Sequence, residues 1–258
     1  MPPIRTAKTN NSSATQDAPI AAPKRRLLKP VVKGVSEAYF RSSVRDWDGQ
    51  FHRLIGSSTR KVTLGAEFVL TDDHIDDILT LGPVVRKKLT HFIFEYRDVS
   101  YDAKNGAGDL TNEAVVRLSN ACPSLKVIQL QDAYKLNDDG VIALLKNCPN
   151  LVSLEVSPGS SGGVKVSERL FNELRENPEW APKLKKLIVR NNSEDKTYMK
   201  AMRAMTRERQ TLTVTLLSRS EYKKWGDWEL DETAFDYKKG RVQEPKFRSE
   251  DFYDMGWF

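Results

Sequence analysis

Short apolar runs recur along residues 60–217 with one pattern, Leu-x-x-apolar-x-apolar. Four clear examples occupy residues 89–94, 125–130, 151–156 and 184–189, with a fainter match at 62–64 and a further run at 212–217. Side chains of a strand alternate between its two faces, so the last two apolar positions of each run share a face. The pattern predicts a series of short strands, each with one face turned to a core.

Segments with helical spacing precede or follow these runs. They occupy residues 70–79, 110–118 and 136–145, and each has Thr or Asn near its start, then acidic or amide residues, then apolar residues on one helical face. Thr71, Thr111 and Asn137 are suited to cap a first helical turn, and the acids after them favour the positive end of the helix dipole. The segments predict three amphipathic helices.

The helices and strands are separated by a repeated Cys-Pro device. Asn120-Ala-Cys122-Pro123-Ser-Leu125 and Asn147-Cys148-Pro149-Asn-Leu151 have the same order, and the two cysteines lie 26 positions apart. Proline disfavours helix at the residue before it, so each device predicts a helix end followed by a strand. The interval from Leu125 to Leu151 lies within the roughly 20–29 residues of a leucine-rich repeat. The longer intervals, before Leu125 and before Leu184, contain insertions at 101–109, 158–163 and 178–182.

The predicted fold class is α/β. A strand and a helix in about 26 residues cannot bury their own apolar faces, but stacked units can. We therefore expect a short leucine-rich-repeat solenoid, a horseshoe like that of ribonuclease inhibitor, with parallel strands on the concave face and helices outside. A doubly wound βαβ fold also alternates strand and helix, but it does not require the repeated Cys-Pro device.

The sequence from Cys-Pro through the strand to the next apolar-(Thr/Asn)-Asp-(Asp/Glu) helix start resembles the cysteine-containing leucine-rich repeats of F-box proteins. The resemblance covers about residues 60–217 and is strongest over 110–156. In that family the repeats hold the substrate of an SCF ubiquitin ligase, and an F-box precedes them. Residues 34–58 lack the Leu-Pro opening of an F-box, so the chain is more similar to F-box-less relatives of the Antagonist-of-mitotic-exit-network type.

Composition divides the chain into four predicted segments. Residues 1–33 form a basic leader expected to be disordered, 34–59 a helical N-terminal cap, 60–217 the repeats, and 218–258 an aromatic and charged cap and tail. Residues 1–34 hold seven basic residues and one acid, whereas the remaining chain has 34 of each. Nucleic-acid binding through the folded part is therefore disfavoured, and binding through the leader is a weaker alternative.

Candidate chemical sites are few. Cys122 and Cys148 occupy equivalent positions and predict a buried structural pair, without a disulfide or zinc. Asp72-Asp73-His74-Ile75-Asp76-Asp77 lacks the spacing of a calcium loop and predicts a capped, solvent-facing acidic helix turn. The glycine-rich segment 159–163 lacks the Lys-Ser/Thr of a phosphate-binding loop. No catalytic motif is present, so we expect no cofactor, no metal and no enzymatic activity.

The predicted binding surface is the concave face. Strand alternation places there the residues beside the core positions: His91, Ile93, Glu95, Val127, Gln129, Gln131, Ser153, Glu155, Ser157, Lys186, Ile188 and Arg190. The C-terminal end supplies a second candidate, because Trp257 and Phe258 are aromatic residues of the kind that dominate protein interfaces. For the tail, docking to a partner and capping of the repeats remain alternatives.

The function expected from these features is protein binding. The chain is predicted to hold another protein through its concave face or tail, as an adaptor that selects substrates for ubiquitin-dependent turnover or as a structural subunit of a larger complex. No membrane span is expected, since no apolar run approaches the required length of ~18 residues. No small-molecule substrate is expected either. The expected compartment is cytoplasmic or nuclear, with a mitochondrial location left open.

Overall fold

The computed structural model describes residues 27–97, 104–159 and 165–243. Most of the predicted leader (1–26), parts of two predicted insertions (98–103 and 160–164), and the tail from residue 244, including Trp257 and Phe258, lie outside the described residues.

Strands and helices alternate through the described chain. The strands are β1 Glu37–Ser42, β2 Lys61–Glu67, β3 Val69–Thr71, β4 His91–Phe94, β5 Gly106–Asp109, β6 Val127–Gln131, β7 Ser153–Ser157, β8 Lys186–Arg190, β9 Thr213–Lys224, β10 Asp227–Lys238 and β11 Arg241–Val242. The helices are α1 Phe51–Leu54, α2 Asp72–Thr80, α3 Pro83–Arg86, α4 Asn112–Ala121, α5 Asp138–Asn147, α6 Glu168–Glu176 and α7 Lys196–Glu208. A π-helical turn occupies Ser43–Trp47. The strands and helices predicted between residues 60 and 217 are confirmed, with small displacements of their starts.

Nine strands form one sheet in the order β1-β2-β4-β6-β7-β8-β9-β10-β11. Pairing is parallel from β1 to β9, and the strands follow chain order, so each new unit extends the same edge. The register aligns the core positions of successive strands: Phe92, Ile128, Leu154, Leu187 and Val214. The molecule is therefore α/β with a mostly parallel, open central sheet; β3 and β5 form a separate two-stranded sheet.

The two faces of the large sheet differ in burial. On β6, Ile128 and Leu130 are fully buried, whereas Val127 and Gln129 keep partial access to solvent. The same alternation holds in β4 and β8. The buried face continues into the apolar faces of α2 and α4 to α7, which belong to the same hydrophobic cluster. The helices therefore cover one face of the sheet and leave the other accessible.

Neighbouring units are also joined at the starts of their helices. The first residue of one helix accepts hydrogen bonds from the capping residue of the next, in three pairs: Asp72 with Thr111, Asn112 with Asn137, and Asp138 with Ser167. Asp138 is buried, and its carboxylate accepts from the Ser167 backbone N–H at 3.0 Å and from its hydroxyl. Each cap is thereby fixed by the preceding unit as well as by its own helix.

The Cys-Pro devices end helices as predicted. The backbone N–H groups of Cys122 and Cys148, the residues after α4 and α5, donate to Leu118 and Leu144. Both thiols are buried and free, and the Cys148 Sγ lies 3.9 Å from the carbonyl oxygen of Cys122. The cysteines thus occupy matching positions in adjacent units that contact each other, which confirms the predicted buried structural pair.

The prediction of a helical cap over residues 34–59 is wrong at its start. Residues 37–42 form strand β1, which pairs in parallel with β2, while helical structure is confined to 43–47 and 51–54. Ala38, Phe40 and Ser42 are buried and the residues between them are exposed, a period of two that outweighs helix propensity. The predicted disordered leader, residues 1–33, also extends too far towards this strand. The backbone of residues 29–33 forms hydrogen bonds with Thr80 and with residues 57–58.

The C-terminal prediction also requires correction. Residues 213–238 form one long antiparallel hairpin, β9 and β10, so no boundary falls at 218. The expectation that its aromatic residues cap the stack is wrong for Trp225, Trp228 and Phe235, which are exposed, and holds for Tyr237, which is buried against α7. The hairpin extends the sheet by backbone hydrogen bonds, and these do not need aromatic packing.

The helix-start contacts yield a test of how the units are coupled. Asp138→Ala leaves the Ser167 N–H without its buried acceptor, and we expect a loss of about 1–3 kcal/mol in unfolding free energy. Asp139→Ala is the matched control, since Asp139 lies in the same first turn but forms an exposed ion pair with Arg169, worth at most about 1 kcal/mol. Urea unfolding of both variants measures the difference. Equal losses would contradict a coupling role for Asp138.

Candidate binding surface

Parallel register builds rows of side chains across the accessible face of the sheet. The row nearest the strand starts contains Glu37, Lys61, His91, Val127, Ser153, Lys186 and Thr213. The next contains Tyr39, Thr63, Ile93, Gln129, Glu155, Ile188 and Thr215. We call these rows together the sheet face. It combines aliphatic, aromatic and polar side chains on seven adjacent strands.

Most of the sequence-predicted binding residues lie on or beside this surface. Lys186 and Arg190 are exposed, and the half-buried members are His91, Ile93, Glu95, Val127, Gln129, Ser153 and Ile188. The expectation of accessibility is wrong for three residues, because Gln131, Glu155 and Ser157 are buried. Their side chains lie on the accessible side of the sheet, but another segment covers them.

That covering segment is the far part of β9, and its central residue is Arg219. The Arg219 side chain is only 4% exposed and lies 3.3 Å from the Glu155 carboxylate. It also donates to the Ser157 hydroxyl at 2.8 Å and to the Pro158 carbonyl at 3.2 Å, and it pairs with Glu232 on β10. Two carboxylates and several hydrogen bonds therefore compensate the burial of the guanidinium.

The network continues to β4, on the other side of β6. The Gln131 amide donates to Glu155 at 2.9 Å and accepts from the Tyr96 backbone N–H at 2.7 Å. The Tyr96 hydroxyl donates to Glu221 at 2.7 Å, a contact between residues 125 positions apart. The β9–β10 hairpin thus crosses the strand ends from β9 back to β4. We call this crossing the rim clasp, defined by Tyr96, Gln131, Glu155, Arg219 and Glu221.

A buried carboxyl group, on a residue with positive φ, lies beneath the rim clasp. Asp132 has φ +57°, is 8% exposed, and its Oδ1 has no hydrogen-bond partner among the described residues. A Cβ atom at Gly159 would lie 1.9 Å from that oxygen, so only glycine fits there. The pKa of Asp132 is raised to about 6, mainly by burial; the hydrogen bond from the Ala107 N–H lowers it, Glu221 raises it and Arg219 lowers it.

The electrostatics of the sheet face itself are mild. Lys61 and Glu37 form an ion pair of 3.2 Å in the first row. Burial lowers the pKa of His91, and Lys61 and Lys126 lower it further, so the neutral imidazole predominates near pH 7. Its Nδ1 lies 2.9 Å from the Thr90 hydroxyl. The surface therefore favours a partner that offers apolar groups and hydrogen bonds over one that offers dense charge.

The titratable side chains of the described residues mainly form contacts that stabilise the fold. No group of three or more His, Cys, Asp or Glu side chains among them is placed to hold a metal ion. Burial raises the pKa of both cysteine thiols to about 12, which removes the thiolate that nucleophilic chemistry needs. The acidic turn predicted to face solvent is instead largely engaged: Asp72 holds Thr111, Asp76 pairs with Arg117 at 2.8 Å, and the Trp47 indole donates to Asp77.

Arg219 is the main residue of this surface that the sequence prediction omitted. Little in the sequence indicates it, because residues 218–224 are mostly polar and the apolar part of this strand ends at 217. Tyr39 was omitted because β1 was not predicted, and Lys61 because it lies just before the faint match at 62–64.

The sequence matches no protein-family model and no curated protein. Within the described residues, none of the helices combines the length and apolar character that crossing a bilayer requires. The geometry of the sheet face and the rim clasp is thus the main structural basis for inferring function.

The buried carboxyl group of Asp132 makes stability depend on pH. Its pKa is about 6 in the folded protein and 3.8 ordinarily, so the folded state binds the extra proton and stability rises as pH falls from 7 towards 4. Asp132→Asn removes the cost of the buried charge, and Asn tolerates positive φ. We expect a gain on the order of 1–3 kcal/mol at pH 8 that disappears near pH 4.

Urea unfolding at pH 4, 6 and 8 measures this dependence. Asp109→Asn is the control, because Asp109 is an exposed partner of Lys135 and should show no such pH-dependent gain. A gain for Asp132→Asn that is the same at all three pH values would refute the assignment.

Proposed function

We propose that this chain is a protein-binding module built from leucine-rich repeats, and that it acts without catalysis. The repeat assignment is supported by the separation of Cys122 and Cys148, 26 positions, by their equivalent places after α4 and α5, and by the recurring helix-start contacts. Sequential parallel strands with helices on one face are the arrangement that such repeats produce.

The observation that carries the binding proposal is the sheet face. Its first row remains at least partly accessible on all seven strands, as do Tyr39, Ile93, Gln129 and Ile188 of the second row, while the opposite face is buried under helices. Ile93, Val127 and Ile188 supply apolar contact area, and Gln129 and Lys186 supply hydrogen-bonding and charged groups around them. Apolar groups bordered by polar ones are typical of protein interfaces.

The sheet face is also well ordered for recognition. Backbone pairing fixes its rows in register, and the rim clasp ties β9 to β4 across the strand ends. A surface held in one conformation loses little entropy on binding, which favours affinity. The proposal therefore assigns binding to the accessible side chains of the sheet face and a supporting role to the buried residues Gln131, Glu155 and Ser157.

The proposal is limited to protein binding. In the F-box proteins that the repeats resemble, a separate helical domain precedes the repeats and contacts the ligase. Here residues 37–42 form strand β1 at the edge of the sheet, and residues 51–54 form only a four-residue helix. This arrangement gives no support to extending the proposal to a ubiquitin ligase.

A paired substitution tests the assignment. Ile93→Gln with Ile188→Gln removes apolar contact area from two strands of the sheet face while changing no charge. We expect proteins that copurify with the wild-type chain from its own cells to fall at least tenfold in quantitative mass spectrometry. Thermal unfolding of the purified variant establishes that it remains folded.

The control places the same change elsewhere. Val44 and Val84 are 70% and 56% exposed and lie off the sheet face, so Val44→Gln with Val84→Gln should retain the copurifying proteins. If the sheet-face variant is folded and keeps every partner, the proposed function of this surface is wrong.

A further inference from the structure

A second surface, at the other end of the sheet from β1, is strongly basic. Helix α7 presents four cations at helical spacing, and the turn between β10 and β11 adds three more, with one from just before β8. We call this set the basic end: Lys185, Lys196, Lys200, Arg203, Arg207, Lys238, Lys239 and Arg241. The near-neutral charge of the chain beyond residue 34 conceals it, because acids elsewhere balance these residues.

The cations of the basic end lack acidic partners within the described chain. On α4 and α6, by contrast, every basic side chain forms an ion pair: Arg117 with Asp76, Arg169 with Asp139, and Arg175 with Glu208. Two of the nearby acids are occupied in other ways. Asp195 caps α7 through the Thr197 and Tyr198 N–H groups, and Asp236 accepts from Thr215 on the opposite side of β10. Among the described residues, no acid lines the clefts described next.

Two clefts run between these cations. One, of about 490 Å³, is lined by Ser193, Lys196, Met199, Lys200, Arg203, Arg207 and Tyr237. The other, of about 910 Å³, is lined by Lys185, Gln210, Thr211, Lys238, Lys239, Arg241 and Gln243. Gly240, which lies between Lys239 and Arg241 of the second cleft, packs against Arg207 of the first, so the clefts adjoin.

The turn that carries three of the cations is fixed to the helix. The Gly240 N–H donates to the Thr206 hydroxyl at 3.1 Å, and a Cβ atom at Gly240 would lie 2.6 Å from the Arg207 side chain. Arg203 lies over the Tyr237 ring, 5.9 Å from its centroid. The charges of the basic end are thus held on packed elements, which lowers the entropy lost when an anionic partner binds.

We propose that the basic end binds an extended acidic segment of a partner protein. The α7 cations span about 16 Å from Lys196 to Arg207, the length of about five extended residues, and the adjoining cleft can take several more. Arginine pairs with carboxylates through two parallel hydrogen bonds, and Arg203, Arg207 and Arg241 are available for such pairs. This site is separate from the sheet face and does not depend on its function.

The surroundings favour a narrow polyanion over nucleic acid or a membrane. Farther along the same strand, β10 carries acidic residues, among them Glu229, Asp231 and Glu232, which lie six to nine positions before Lys238. A duplex or a lipid surface is wider than the clefts, whereas a single extended peptide fits within them. Single strands are bound by stacking on aromatic rings. Tyr237, the aromatic residue that lines the clefts, is buried.

Fluorescence anisotropy with the full-length chain tests the proposal. The probe is a fluorescein-labelled peptide in which Glu-Ser is repeated six times, and its Gln-Ser counterpart is the uncharged comparison. We expect saturable binding of the Glu-Ser peptide at moderate ionic strength. The variant Lys200→Gln, Arg203→Gln, Lys239→Gln should bind it at least tenfold more weakly.

The control variant is Lys33→Gln, Arg53→Gln, Lys87→Gln, which removes the same charges from exposed positions near the opposite end of the sheet. It should change the affinity less than threefold. Three results would overturn the proposal: no saturable binding, equal losses in the two variants, or tighter binding of a single-stranded RNA of matched length or of phosphatidylserine vesicles through the same three side chains. Peptide binding that appears only after removal of residues 244–258 would assign the clefts to that segment and also overturn it.

Discussion

The structure depends on one constraint: a single strand and helix of this chain have no interior of their own. Leu154 and Val156 on β7 are fully buried only because β6 and β8 flank them and helices of neighbouring units cover them. Burial of apolar surface is the main favourable contribution to folding, so each unit gains it from its neighbours. In-register parallel pairing and the helix-start contacts, such as Asp138 with Ser167, are the two means by which this sharing is made specific.

This constraint also determines where recognition can occur. Because the helices are needed on one side to complete the interior, the other side of the sheet is left for a partner. On that side, the far part of β9 also crosses the ends of the neighbouring strands. Arg219 there excludes solvent from Glu155 and Ser157, so the accessible surface consists of the first row of the sheet face and the unburied members of the second. At the last described unit no further helix follows α7, so the exposed side of that helix can carry uncompensated charge.

The sequence pattern predicted those features that depend on residues close together in the chain. Apolar spacing around Leu125 and Leu151, and the capping residues Thr111 and Asn137, gave the strands, helices and buried face correctly. Features that join distant residues were not predictable in this way. The burial of Glu155 requires a partner 64 positions later, and the basic end combines α7 with a turn on the far side of the β9–β10 hairpin. Strand β1 was missed for another reason, since its alternation is short and its residues also favour helix.

Native-state amide hydrogen exchange, followed at increasing urea concentration, tests most directly whether one interior is shared. If it is, the amides of residues 128–130, 154–156 and 187–189 exchange through a common opening, with the same free energy and the same dependence on urea. If β6 opens with a free energy and urea dependence different from those of β7 and β8, the units have separate interiors and the account is contradicted.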